Sequence, residues 1–107
     1  MSREDYQKEV LDYEGIVILD CWAERCAPCR MLIPVLEEIS QEFADDGIKV
    51  VKINVEASMD NGQIAQELWV RSIPALFYFK NGKMVSQSVG AAPKPYFVDK
   101  IAELKAM

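Results

Sequence analysis

The chain has 107 residues and no histidine. Histidine is the most common general base in enzymes and, besides cysteine, the most common zinc ligand. Its absence excludes hydrolases that depend on a Ser-His or Cys-His pair. Only three cysteines are present. An odd number of cysteines does not suit the paired disulfide framework of a small secreted domain.

Long apolar runs and basic clusters are also missing. No stretch approaches the roughly 20 consecutive apolar residues of a membrane-spanning helix, so we expect no membrane partner. A formal net charge of −5 argues against nucleic acid as a partner, because nucleic acid requires clustered lysines and arginines. Residues 1–6 are polar and lack the apolar segment of a signal peptide, which favours a cytoplasmic location.

Half of the residues are apolar, which is enough to fill one hydrophobic core. A nearly continuous apolar and β-branched run over 16–22 is typical of a central strand covered on both faces. Asn81-Gly82 is a strong two-residue hairpin signal. We therefore predict a single domain over residues 1–107, with further strands over 48–55, 75–80 and 83–89.

Helical patterns lie between these strands. Apolar residues recur at helical spacing after the second cysteine, at Leu32, Val35, Leu36, Ile39 and Phe43. Gly47 is expected to close this helix. Other helices are predicted over 3–12, around 63–68, and after Pro93 and Pro95, where Phe97, Ile101 and Leu104 form the apolar face. Alternating strands and helices predict an α/β fold, a mixed sheet with helices on both faces.

The most informative motif is Cys26-Ala27-Pro28-Cys29, at the junction of the first strand and the long helix. Helix amino termini carry unsatisfied N–H groups and partial positive charge, which favour a thiolate. The thiolate is the reactive form in disulfide exchange. The motif therefore predicts thiol–disulfide exchange. Half of a zinc site is the competing interpretation, but zinc needs four ligands and only Cys21 remains, so no metal is expected.

The order and spacing of several motifs resemble the thioredoxin family over nearly the whole chain. They are VILDCWAE at 17–24, the Cys26-x-Pro28-Cys29 motif, Pro34, Ile73-Pro74 and KNGK at 80–83. The resemblance implies the thioredoxin fold and a protein-disulfide reductase that uses a dithiol in place of a bound cofactor. It also implies thioredoxin reductase as the electron donor and disulfide-containing proteins as clients.

The resemblance also implies residue roles. Cys26 would be the exposed nucleophile, and Cys29 the buried thiol that resolves the mixed disulfide. Asp20 would be a buried proton acceptor for Cys29, and burial raises a carboxyl pKa toward neutrality. Lys52 would approach Asp20 from the next strand, although a plain surface lysine is the alternative. Cys21 is expected to be a small hydrophobe rather than a regulatory thiol.

Client binding is a second set of implied roles. Ile73-Pro74 resembles the family's cis-proline site, where the backbone of the residue before proline binds an extended client segment. Gly90 would let the client approach closely, because it has no side chain. Pro28 would lie near the helix start, where its missing N–H costs little.

The chain departs from the family beside the nucleophile. Arg25 replaces the usual tryptophan, and Ala27 replaces the usual glycine. Loss of the indole removes a flat apolar docking surface, and a guanidinium beside Cys26 should favour its thiolate. The alternative is that Arg25 is a solvated side chain without a function.

Two further questions stay open in the sequence. Family members commonly begin with an edge strand, whereas this chain begins at the first helix, which predicts four strands and an exposed edge at residues 48–55. An unpaired edge invites pairing with another chain, so we expect a monomer or a weak dimer. The alternative to a reductase is a thioredoxin-like binding or chaperone subunit in which the thiols are not essential.

Overall fold

The computed structural model describes residues 1–107 and contains one mixed four-stranded sheet. The strand order is β2-β1-β3-β4. β1 and β2 are parallel, whereas β3 is antiparallel to both β1 and β4. The predicted mixed sheet is confirmed. The strands are β1 (Ile16–Trp22), β2 (Ile48–Asn54), β3 (Ala75–Lys80) and β4 (Lys83–Val89).

Four α-helices accompany the sheet. They are α1 (Arg3–Tyr6), which continues as a π-helical turn over Gln7–Leu11, α2 (Ala27–Glu42), α3 (Met59–Glu67) and α4 (Lys94–Lys105). A short 3₁₀ turn over Ala44–Asp46 follows α2. None of these helices combines the length and apolar character needed to cross a bilayer.

Two helix boundaries differ from the sequence prediction. The helix predicted around 63–68 begins earlier, at Met59, because the Ser58 hydroxyl accepts a hydrogen bond from the Asn61 N–H at 3.1 Å and caps the helix. α2 ends at Glu42 rather than at Gly47. Gly47 ends the following 3₁₀ turn instead, with a φ of 74° that glycine adopts without strain.

Residues of β1 alternate between two apolar cores, one on each face of the sheet. Ile16 and Ile18 face a core built with α2 and α4, to which Leu32, Leu36, Ile39, Phe97, Ile101 and Leu104 contribute. Val17, Leu19 and Cys21 face a core that includes Tyr6, Val10 and Ile64 from the other helices. Both faces of β1 are therefore covered, which explains its nearly continuous apolar sequence.

β2 lies at the edge of the sheet. Residues 3–6 are helical, and no strand pairs with β2 on its outer side. The prediction of four strands with β2 at an edge is confirmed. β2 accordingly presents unpaired backbone groups along one side.

Trp69 adopts an unusual backbone conformation between α3 and β3. Its φ is +61°, and 76% of the residue is exposed. The left-handed region costs a residue with a side chain about 1–2 kcal/mol relative to glycine. We therefore expect the free energy of unfolding of Trp69→Gly to be about 1 kcal/mol higher than that of Trp69→Ala. Urea denaturation measures this difference. Both variants lose the indole, so equal stability would contradict this account of the strain.

Candidate active site

Cys26 forms the amino-terminal cap of α2. Its backbone is extended, with φ −95° and ψ 106°, and its Sγ accepts a hydrogen bond from the Cys29 N–H at 3.2 Å. Pro28 lies in the first turn of the helix, where its missing N–H leaves no broken hydrogen bond. A sulfur at this place faces the free N–H groups and the positive end of the helix dipole. These interactions favour a thiolate at Cys26 when the disulfide is reduced.

Cys26 and Cys29 form a disulfide, with their Cα atoms 5.3 Å apart. Cys26 keeps 7% of its surface exposed and Cys29 keeps 1%. The expectation of an exposed Cys26 is wrong for this oxidised form, because the residue is buried and its sulfur is bonded to the buried Cys29. Cys26 is still the more accessible of the two disulfide-bonded cysteines.

Asp20 lies on β1 with 1% of its surface exposed. It occupies the face of the sheet that Ile16 and Ile18 occupy, beneath α2. Its Oδ1 has no hydrogen-bond partner. Burial raises the pKa of Asp20 to about 6, although the charge of Lys52 lowers it. A carboxyl group with this pKa exchanges protons close to neutral pH.

Lys52 is the register partner of Asp20 on β2. The lysine is exposed and makes no ion pair within 4.0 Å, so it acts on Asp20 at longer range than a salt bridge. The sequence left open whether Lys52 is a plain surface residue. The side chain is exposed and forms no ion pair with Asp20, and its positive charge lowers the pKa of Asp20.

The peptide bond between Ile73 and Pro74 is cis, as the resemblance implied. Ala75 pairs with Cys21 of β1, which places Pro74 at the end of the sheet from which the chain continues to Cys26. The Pro74 carbonyl accepts a hydrogen bond from the Gly90 N–H at 2.8 Å. The structure therefore brings the predicted client-binding segments to the end of the sheet that carries the cysteines.

Gly90 has a φ of +94°, which favours glycine. A Cβ atom added at Gly90 would meet no heavy atom within 4 Å. The space over this backbone is open, as an approaching extended segment requires.

Arg25 does not direct its charge at Cys26. Its Nε donates a hydrogen bond to Glu56 Oε2 at 2.7 Å, and the two side chains are 69% and 48% exposed. The expected effect of the guanidinium on the thiolate is therefore opposed by a carboxylate partner. Sequence reasoning missed Glu56, because it lies 31 residues from Arg25 and no motif links the two.

Cys21 lies on the opposite face of the sheet from Asp20. It is fully buried and packs in the core that contains Ile53, Ile64 and Phe77. Burial and, to a lesser extent, the nearby Asp20 charge together raise the pKa of the Cys21 thiol to about 12. Cys21 therefore stays a thiol at neutral pH, which agrees with its interpretation as a small hydrophobe.

A groove of about 500 Å³ adjoins the cysteine pair, and sequence reasoning did not find it. Arg25, Arg71, Ser72 and Ile73 contribute to its walls. Arg25 directly precedes Cys26, and Ile73 directly precedes the cis-proline. The groove therefore lies next to the segments that carry Cys26 and the cis-proline, although neither cysteine lines it.

Comparison with known proteins identifies the family of the chain. The thioredoxin family model matches residues 1–103. Thioredoxin C-2 of Corynebacterium nephridii is 47% identical over 91 residues, which cover 85% of this chain and 81% of the relative. Thioredoxin 1 of a Nostoc species is 46% identical over 89 residues, 83% of this chain and 79% of the relative. Thioredoxin of Chlorobaculum thiosulfatiphilum is 40% identical over 100 residues, 94% of this chain and 89% of the relative. These matches and the helix-capping cysteine pair show that the chain belongs to the thioredoxin family of thiol–disulfide oxidoreductases.

Proposed function

We propose that this chain reduces the disulfides of client proteins through reversible oxidation of Cys26 and Cys29. The observation that carries the proposal is the position of Cys26 Sγ at the amino terminus of α2, bonded to Cys29 and within hydrogen-bond distance of the Cys29 N–H. A disulfide at this position joins two residues of a single helical turn. It can therefore open and close without rearrangement of the sheet.

The reaction begins from the reduced dithiol. The Cys26 thiolate attacks one client sulfur, a Cys26–client disulfide forms, and the second client sulfur leaves as a thiolate. Cys29 then loses its proton and attacks the Cys26 sulfur, which releases the first client sulfur. Two electrons and two protons reach the client in total, and the Cys26–Cys29 disulfide forms. No bound cofactor takes part.

Asp20 is the proposed acceptor of the Cys29 proton. It lies beneath the helix that carries Cys29, it is buried, and its pKa of about 6 suits proton transfer near neutral pH. Lys52 tunes this group, because its charge stabilises the ionised carboxylate. The proposed role of Lys52 is to adjust the pKa of Asp20, and we assign it no contact with the client.

Client docking is proposed at the end of the sheet that carries the cysteines. The backbone of Ile73, next to cis-Pro74, pairs with an extended client segment, and the open space at Gly90 admits it. Both Ala27 and Pro28 are exposed and flank Cys26 on the other side. Arg25 contributes a charged contact in place of the family's indole.

The proposed partners are thioredoxin reductase, which supplies electrons, and proteins with accessible disulfides. Such a protein serves electron transport and cell redox homeostasis, and we place it in the cytoplasm, where thiols are kept reduced. Residues 1–107 are proposed to act as one domain. Weak self-association through the free side of β2 remains a prediction.

Insulin reduction with dithiothreitol tests the proposed function. We expect the chain to accelerate precipitation of the insulin B chain, and we expect a reduction potential below that of cytosolic glutathione. A chain without this activity, combined with partner binding that survives replacement of both Cys26 and Cys29 by serine, would favour the binding or chaperone subunit instead. A potential above that of glutathione would indicate net oxidation of clients.

A further inference from the structure

The groove beside the cysteine pair has a charge opposite to that of the whole chain. Two of its lining residues are arginines, Arg25 and Arg71, and none is acidic. The chain as a whole carries a net charge of −5. The positive charge of the groove therefore lies next to the disulfide, where it acts on an approaching client before contact.

Arg71 is exposed and unpaired. No carboxylate lies within 4.0 Å of its guanidinium, and its side chain makes no hydrogen bond with the rest of the chain. A guanidinium presents donors in a planar fork that fits a carboxylate with two parallel hydrogen bonds. Arg71 therefore has its full donor capacity available to a ligand in the groove.

Arg25 has part of its donor capacity left. Only its Nε is bonded, to Glu56, and both Nη groups are without a partner in the chain. Glu56 itself does not line the groove. A second carboxylate can approach Arg25 from the groove side, in competition with Glu56.

The rest of the groove suits the stem of an acidic side chain. Val55, Val70 and Ile73 supply apolar surface, and Gly62 and Ala65 leave space because they are small. A glutamate has methylene groups that pack on apolar surface while its carboxylate contacts an arginine. Because Ile73 also presents the backbone proposed to pair with the client, a residue close to the client cysteine falls at this groove.

We propose that the groove between Arg25 and Arg71 selects client proteins that carry an acidic residue beside the reducible disulfide. The inference rests on the proposed function and adds a class of substrate to it. Arg71 is the main contact of the client carboxylate. Arg25 is a second contact, and Glu56 weakens it by competition.

The test compares two short disulfide peptides that differ only in carrying Glu or Gln beside each cysteine. We expect kcat/KM to be about fivefold higher for the Glu peptide, mainly through KM, since an exposed ion pair contributes a factor of this size. The preference should decline as salt is raised, because exposed charges are screened.

Three variants separate a groove effect from general electrostatics. Arg71→Gln should bring the ratio of the two kcat/KM values close to one. Glu56→Gln should raise the ratio above the wild-type value, because Arg25 loses its competitor. Lys83→Gln removes the same charge as Arg71→Gln from the opposite end of the sheet, where Lys83 pairs with Lys80, and should leave the ratio unchanged. A merely structural role for these residues would not produce effects of opposite sign.

Several outcomes would overturn the inference. Equal rates for the two peptides would overturn it and leave the proposed function intact, whereas no reduction of either peptide would overturn both. An equal loss of preference in Lys83→Gln would show that net charge and not the groove is responsible. Glutathione disulfide also carries carboxylates and is the third substrate. If Arg71→Gln slows only its reduction, the groove serves a small molecule and not acidic proteins.

Discussion

Cys26→Ser is expected to abolish reduction of insulin disulfides, with a loss on the order of a thousandfold or more. A serine hydroxyl is not ionised by a helix terminus at neutral pH, and it cannot form a disulfide with the client. The variant keeps the size and capping ability of the side chain, because serine is itself a favoured cap. The loss should therefore occur without a large change in stability relative to the reduced wild-type protein.

Cys29→Ser is expected to fail at a later step. Its Cys26 can still attack a client, but no second thiol follows to release the product. Mixed disulfides with the client should accumulate. They should appear as adducts on a non-reducing gel and disappear when dithiothreitol reduces them.

Cys21→Ala is the matched control for both variants. Cys21 is fully buried on the other face of the sheet, so its removal should leave the reaction intact. Activity in Cys26→Ser, or adducts that form through Cys21, would contradict the assigned roles.

Asp20→Asn is expected to remove a strong pH dependence from the stability of the oxidised protein. Burial raises the pKa of Asp20 from 3.8 to about 6. Ionisation of Asp20 at neutral pH therefore lowers the free energy of unfolding. Asparagine has a similar shape and no charge. A shift of this size corresponds to about 3 kcal/mol.

The direction follows from proton binding. Between pH values of about 4 and 6 the folded protein binds more protons at Asp20 than the unfolded chain does, so wild-type stability falls as pH rises through this range. Above the folded pKa the loss is complete. The variant lacks this loss, and part of the loss falls below pH 4, so its stability relative to wild type should be about 2 kcal/mol greater at about pH 8 than at about pH 4.

Urea denaturation of the oxidised proteins at the two pH values measures this difference. Asp45→Asn is the matched control, because Asp45 is exposed and makes no ion pair, so folding removes little water from its carboxylate. Equal pH dependence of wild type and Asp20→Asn would show that Asp20 is not desolvated on folding.

The same substitution should slow the release of clients. Without Asp20, Cys29 must give its proton to water, and we expect its attack on the mixed disulfide to slow by about tenfold to a hundredfold at neutral pH. The wild-type rate should show an inflection near pH 6 that the variant lacks. An inflection that persists in Asp20→Asn would assign it to another group.

Much of the fold was predictable because its signals are local. β1 is covered on both faces, and its sequence, apolar except for Asp20, indicates that directly. Asn81 and Gly82 both adopt positive φ angles, as the hairpin signal required. The start of α3 was missed because its first turn is polar and depends on the cap at Ser58, which a search for apolar spacing does not detect.

The site was predictable only in part. Motif spacing placed Asp20 on the first strand and the cysteine pair at the start of the long helix, and the structure has them on β1 and at the amino terminus of α2. The Arg25–Glu56 pair and the groove near Arg71 depend on how the loops after β2 and α3 meet the active site. Contacts between such distant segments leave no pattern in a single sequence.

Alkylation of the reduced protein tests the central claim most directly. The protein is treated with a limiting amount of iodoacetamide over a range of pH, and mass spectrometry identifies the modified cysteine. We predict that Cys26 reacts first and already reacts well below pH 8.5, the usual pKa of a free thiol, with Cys29 slow and Cys21 inert. Equal reactivity of Cys26 and Cys29, with both reacting only above that pH, would contradict a thiolate stabilised at the amino terminus of α2.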